Sequence, residues 1–104
     1  MESIEKILCS AIWFDDGKHY VHSPVNIKTG MVLCGHRHHN IFAQFQVMGE
    51  AGKEMSRHEK EQGFLTNLNR FVDREEGWII AENANQITDR IVAGKGKLYS
   101  ENLY

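Results

Sequence analysis

Gln62-Gly63-Phe64-Leu65-Thr66-Asn67-Leu68-Asn69-Arg70-Phe71-Val72-Asp73-Arg74-Glu75-Glu76 holds a strand, a turn and the start of a helix in one short span. Gly63–Thr66 reads as a short strand, and Asn67-Leu68-Asn69 as a turn. Asp73 then opens a helix, because its carboxylate can accept from the first free amides. Glu76 stands three residues on, at capping-box spacing. The helix should run to about Asn85, with Trp78, Ala81 and Glu82 starting its repeat. Gly77 inside it costs about 1 kcal/mol relative to alanine, so close packing is its expected purpose.

Toward the N-terminus, Lys6–Phe14 is short and apolar and reads as a largely buried strand. Asp15-Asp16-Gly17-Lys18 has the residues of a tight hairpin, so Lys18–His22 is expected to return as a second strand. Ser23–Gly30, with Pro24 and Asn26, reads as a loop, and Gly30–His36 as a third strand. Ile41, Phe42, Phe45 and Met48 fall at helical spacing behind Asn40, a candidate N-cap. Gly49–Gln62 lacks apolar periodicity and reads as a surface loop or a frayed helix end. Thr88–Val92 reads as a turn or strand and Gly94-Lys95-Gly96-Lys97 as a connector. Leu98–Tyr104 is too apolar for a free tail and should dock on this domain or on a neighbouring subunit. Together these elements predict an α+β fold, a small antiparallel sheet packed with two helices, in a single domain over residues 1–104.

Composition narrows the function classes. With 104 residues the chain buries a modest core, so a deep pocket is more easily built between subunits. A formal net charge of −2 does not advertise a long nucleic acid or an acidic membrane. Two cysteines, Cys9 and Cys34, form no CxxC pair and read as reduced, mostly buried thiols. The charged start, Met1–Lys6, lacks the apolar stretch of a signal peptide, and no apolar run reaches membrane-spanning length. The expected location is a cytoplasm.

Two segments concentrate chemistry. Cys34-Gly35-His36-Arg37-His38-His39-Asn40 lies where a strand hands over to a helix. A helix N-terminus with Arg37 and a histidine such as His38 suits phosphate. The same residues equally describe a polar strand end whose histidines cap the helix. Zinc is the other reading, but ligands crowded into one cluster lack the two separated pairs of known structural sites. No metal is therefore expected. In Gln62–Glu76, aromatic rings beside amides and guanidiniums suit a nucleotide, with Phe64 or Phe71 stacking on a base and Arg70 or Arg74 neutralising phosphate. Thr66 or Asp73 would hydrogen-bond the base edge or ribose, unless Asp73 is used as a cap. Against this, Phe64 and Phe71, each taken alone, read more readily as core, and the two arginines as surface groups or as partners of Glu75 or Glu82. Trp13, expected half-buried, adds a possible stacking face. No complete set of catalytic roles can be assembled.

Ala11-Ile12-Trp13-Phe14-Asp15-Asp16-Gly17-Lys18, Cys34–Asn40, Gln62–Thr66 leading into Asn69–Glu76, Asn85-Gln86-Ile87 and the closing Leu98–Tyr104 resemble the first Thoeris anti-defence family of bacteriophages. The resemblance touches most of the chain and is most specific over Gln62–Glu76. It implies a small α+β protein in the cytoplasm of an infected bacterium that binds cyclic ADP-ribose isomers and sequesters them without cleavage. It further implies a dimer or hexamer with pockets between subunits, no cofactor, and in some members separate sites for cyclic oligonucleotides. Gly77-Trp78 departs from the small helix-forming residues expected there, and the polar loop after Met48 departs as well. A phosphoesterase or metal-dependent hydrolase of a small nucleotide is the alternative. A protein-binding inhibitor docking through the apolar tail is a third reading.

Overall fold

The computed structural model describes residues 4–90 and 96–104. Part of the expected Thr88–Val92 turn and of the Gly94–Lys97 connector lies outside them. The order is β1 (Ile7–Phe14), β2 (Met31–Gly35), α1 (His38–Met48), α2 (Glu50–Ser56), β3 (Glu59–Thr66), β4 (Phe71–Asp73), α3 (Arg74–Asn83) and α4 (Ser100–Leu103). The four strands form one antiparallel sheet in the order β2-β1-β3-β4. The fold is α+β, as the residue pattern indicated.

Register decides which faces are buried. Ser10 lies opposite Phe64, and Phe64 opposite Val72, so these share one face with Ile12 and Phe14. That face carries both hydrophobic clusters, while buried Ala11 and Phe71 lie on the other. Ile12 and Phe14 pack with Ile41 and Phe45 of α1, and partly buried Met55 of α2 joins them. Ile7, Phe64 and Val72 pack with Trp78, Ile80 and Ala81 of α3 and with Leu98 and Leu103. All four helices therefore lie on one side of the sheet among the described residues. The opposite face shows Cys9, Ala11 and Trp13 of β1, Val32 and Cys34 of β2, and Gly63 and Leu65 of β3.

Three expectations are corrected. Lys18–His22 is not a strand. Asp15 and Asp16 turn inward on their own chain, accepting from the amides of Gly17 and Lys18 at 3.0 Å each, so the turn does not close a hairpin. The chain continues as a loop until Gly30, whose amide bonds Lys18 O and whose φ of 80° favours glycine. Gly49–Gln62 is not a loop either, since it contains α2 and the first half of β3. β3 starts at Glu59, where its charged first half pairs with β1 through backbone bonds that hydrophobic patterning does not reveal. Finally, α1 begins at His38 with Arg37 as N-cap, and Asn40 serves from inside the first turn, its Oδ1 accepting from Arg37 N at 2.9 Å.

The tail does dock, on its own domain. Leu98 is fully buried and Leu103 nearly so. Buried Asn102 fastens it, accepting from Tyr99 N at 2.8 Å and donating to Asp89 O at 2.7 Å.

Candidate functional site

The β3–β4 hairpin places most of the expected site residues. Asn69 takes a φ of 57°, a left-handed conformation asparagine tolerates, and its amide bonds Thr66 O at 3.0 Å. This turn sends Phe71–Asp73 back along β3. Asp73 ends β4 and caps α3, accepting from Glu76 N at 2.8 Å. The strand-to-helix handover thus rests on one carboxylate.

Four of the expected ligand groups are occupied within the chain. Phe64 is fully buried, against the Gly77 backbone and edge-on to His38, so it has no open face for a base. Thr66 is 1% exposed and donates to Glu5 Oε2 at 2.7 Å. Arg70 grips Glu5 with two bonds, of 2.8 and 3.0 Å, and reaches Glu76 at 2.8 Å. These carboxylates raise the Arg70 pKa, and the Arg70 hydrogen bond in turn lowers that of Glu5. Arg70 is therefore a clasp between the segment before β1, the hairpin and α3. Arg37 holds the tail, bonding Ser100 Oγ at 3.2 Å and the backbone oxygen of Tyr104, with Glu101 at 3.9 Å.

The expected phosphate corner is thus covered by the C-terminal segment. His36 stacks on Tyr104 with ring centroids 4.1 Å apart, and the Tyr104 hydroxyl donates to His36 O at 2.8 Å. The His38 Nε2 lies 2.8 Å from Gly63 O. Burial pushes the His38 pKa down, which favours the neutral ring donating from Nε2 to that carbonyl. This contact joins the two chemistry-bearing segments inside one chain.

Beside the β3–β4 hairpin a groove stays open in two parts. One cleft, of about 290 Å³, is lined by Trp13, Asn26, Ile27, Lys60, Glu61, Phe71, Asp73 and Glu76. The Trp13 and Phe71 rings meet at 6.3 Å and 58°. Trp13 is held by Nε1 donating to Thr29 O at 2.9 Å, and Lys60 Nζ rests 4.8 Å from its ring centroid. The other cleft, of about 280 Å³, is lined by Glu61, Gln62, Asp73, Arg74, Glu75, Lys97 and Tyr99. Half-buried Arg74 donates to Leu98 O and Gln62 Oε1, both at 2.9 Å, and stacks on Tyr99 at 4.3 Å. Burial lowers its pKa from the ordinary arginine range, and a guanidinium stays a cation at neutral pH. Glu61 and Asp73 line both clefts.

The structure therefore gathers Trp13, Phe71, Asp73 and Arg74 along one groove and turns Phe64, Thr66, Arg70, Arg37 and His38 to structural bonds. Residue reading missed Asn26, Lys60, Gln62, Lys97 and Tyr99. Asn26 in particular bonds both backbone groups of Phe71, at 2.6 and 2.9 Å, which completes the edge of β4. A proline-containing loop gave no signal for that pairing. Among the described residues no group of three or more His, Cys, Asp or Glu could hold a metal ion, and no helix is long and apolar enough to cross a membrane.

A family model described as Phage T4 y16D protein matches residues 6–104. No curated protein and no solved structure matches the chain.

Proposed function

The chain belongs to the phage T4 y16D protein family, and on that premise we propose that it is an anti-defence protein of the infected host's cytoplasm that sequesters cyclic ADP-ribose isomers without cleaving them. The observation that carries this reading is the divided groove, with an aromatic cleft at one end and, at the other, a polar cleft in which Arg74 and Lys97 stand among Glu61, Asp73 and Glu75. A purine stacks on Trp13, and the flexible Lys60 leaves that ring to meet a phosphate. Asp73, whose Oδ1 caps α3, offers its second carboxylate oxygen to the base edge or ribose. Arg74 and Lys97 face the pyrophosphate from the second cleft. Cyclic oligonucleotides carry the same base and phosphate groups and are the second ligand class to screen.

Each cleft falls just below the roughly 300–1,000 Å³ range of ligand pockets. Self-association into a dimer or hexamer completes the site in this proposal, a second copy closing the groove from solvent. Sequestration by mass action then needs tight binding and abundant protein.

The test is to load the protein with a cyclic ADP-ribose isomer, remove free ligand, denature by heat and identify what is released. Intact ligand supports sequestration. A cleaved product would establish a hydrolase of small nucleotides. No retention across a panel of cyclic nucleotides would leave docking to a protein partner as the better account.

A further inference from the structure

The two cysteines stand outside the groove and share an environment. Cys34 lies opposite Ala11, and Cys9 is two residues before Ala11 on the same strand, so both side chains sit on the sheet face without helices, diagonally across β1 and β2. Both are partly exposed, neither is in a disulfide, and each thiol bears on the ionisation of the other. A register shift between Ile7 and Cys9 marks a bulge directly beside the pair. A diagonal pair is normally too far apart to bridge without backbone movement, and a bulge supplies a place where the strand can shift.

We propose that Cys9 and Cys34 form a peroxide-responsive dithiol, with Cys9 the attacking sulfur and Cys34 the resolving one. The Cys9 thiolate attacks one oxygen of hydrogen peroxide. An S–O bond forms, the O–O bond breaks, and the departing hydroxide takes a proton to become water. Cys34 sulfur then attacks the sulfenic sulfur of Cys9. The S–S bond forms, the S–O bond breaks, and the hydroxyl leaves with the Cys34 proton as a second water. Two electrons pass from the thiols to the peroxide, which is fully reduced.

The asymmetry between the sulfurs follows from their contact. The hydrogen bond with Cys34 brings Cys9 down to about 7 and outweighs the opposing effect of burial, while the same contact and burial raise Cys34. Cys9 therefore ionises before Cys34, and nucleophilicity belongs to the thiolate. Besides Cys34 on β2, the ionisable group facing Cys9 is Tyr104 of the tail, over whose ring Arg37 sits at 5.6 Å.

Peroxide treatment of the intact protein, followed by non-reducing mass spectrometry and peptide mapping, tests the assignment. The expected product has lost two hydrogens and links the Cys9 and Cys34 peptides within one chain. In Cys34→Ser, Cys9 should accumulate as a sulfenic acid trapped by dimedone. In Cys9→Ser, Cys34 should stay unmodified at the same dose. Alkylation of Cys9 by iodoacetamide should rise through a midpoint near 7. Thiols that survive a peroxide dose oxidising free glutathione, cross-links only between chains, or equal reaction of Cys34 alone would each overturn the proposal. The wild-type mapping does not depend on either variant folding.

Discussion

Gly63→Ala should be among the most damaging single-methyl additions in this chain, and the reason is geometric. A Cβ at position 63 would stand 1.9 Å from Val72 O and 2.9 Å from its carbonyl carbon. Both atoms are backbone, so relief requires β4 to move away from β3. That strand is only three residues long and is held through the pairs Gly63–Asp73, Phe64–Val72 and Leu65–Phe71. Overpacking costs about 1–3 kcal/mol, and each ladder bond lost adds about 1 kcal/mol. The expected loss is therefore about 3–5 kcal/mol, a large part of the roughly 5–15 kcal/mol typical of a domain. Gly77→Ala is the internal control. Its Cβ would meet Phe64 Cδ2 at 3.2 Å and Leu98 Cδ2 at 3.4 Å, both side-chain atoms able to shift by tenths of an ångström. The helix gains about 1 kcal/mol from alanine, so this variant should fall between neutral and about 1 kcal/mol more stable. Urea unfolding followed by tryptophan fluorescence measures both. A Gly63→Ala protein within about 1 kcal/mol of wild type, with an unchanged m-value, would refute the β3–β4 register and with it the position of Phe71 and Asp73 in the groove.

Asp73→Ala should cost about 1 kcal/mol by removing the α3 cap, whereas Asp73→Asn should keep most of that stability. A change in nucleotide retention by Asp73→Asn would then report the charge in the groove, and unchanged retention would remove Asp73 from the site. Stability should fall as pH drops through about 6.5, because the unfolded chain protonates His38 while burial holds the folded imidazole neutral. Urea midpoints for wild type and His38→Gln between about pH 7 and pH 5 should show a flatter profile in the variant. Arg70→Gln should cost about 1 kcal/mol at neutral pH, since the clasp is partly exposed. That difference should shrink as pH falls below the ordinary glutamate range, where the Glu5 carboxylate protonates. Asn102→Ala should cost about 2 kcal/mol and loosen the tail, read as faster amide exchange at Tyr99.

Local chemistry was enough to read some elements from the chain alone. Asp73 with Glu76 announced the start of α3, Asn67–Asn69 the hairpin turn, and Met31–Cys34 a strand, because each depends on neighbours close in sequence. The apolar spacing from Ile41 to Met48 likewise marked α1, and Leu98 with Leu103 marked a tail that docks. What only tertiary structure decided was the use of each polar group. Arg70 and Arg74 look alike in sequence, yet Arg70 meets Glu5, 65 positions away, while Arg74 opens onto a cleft beside Tyr99. Phe64 and Phe71 are separated by one strand length, and sheet alternation sends the first into the core and the second to the groove wall. A guanidinium or a ring carries its chemistry with it, but its availability depends on partners distant in sequence.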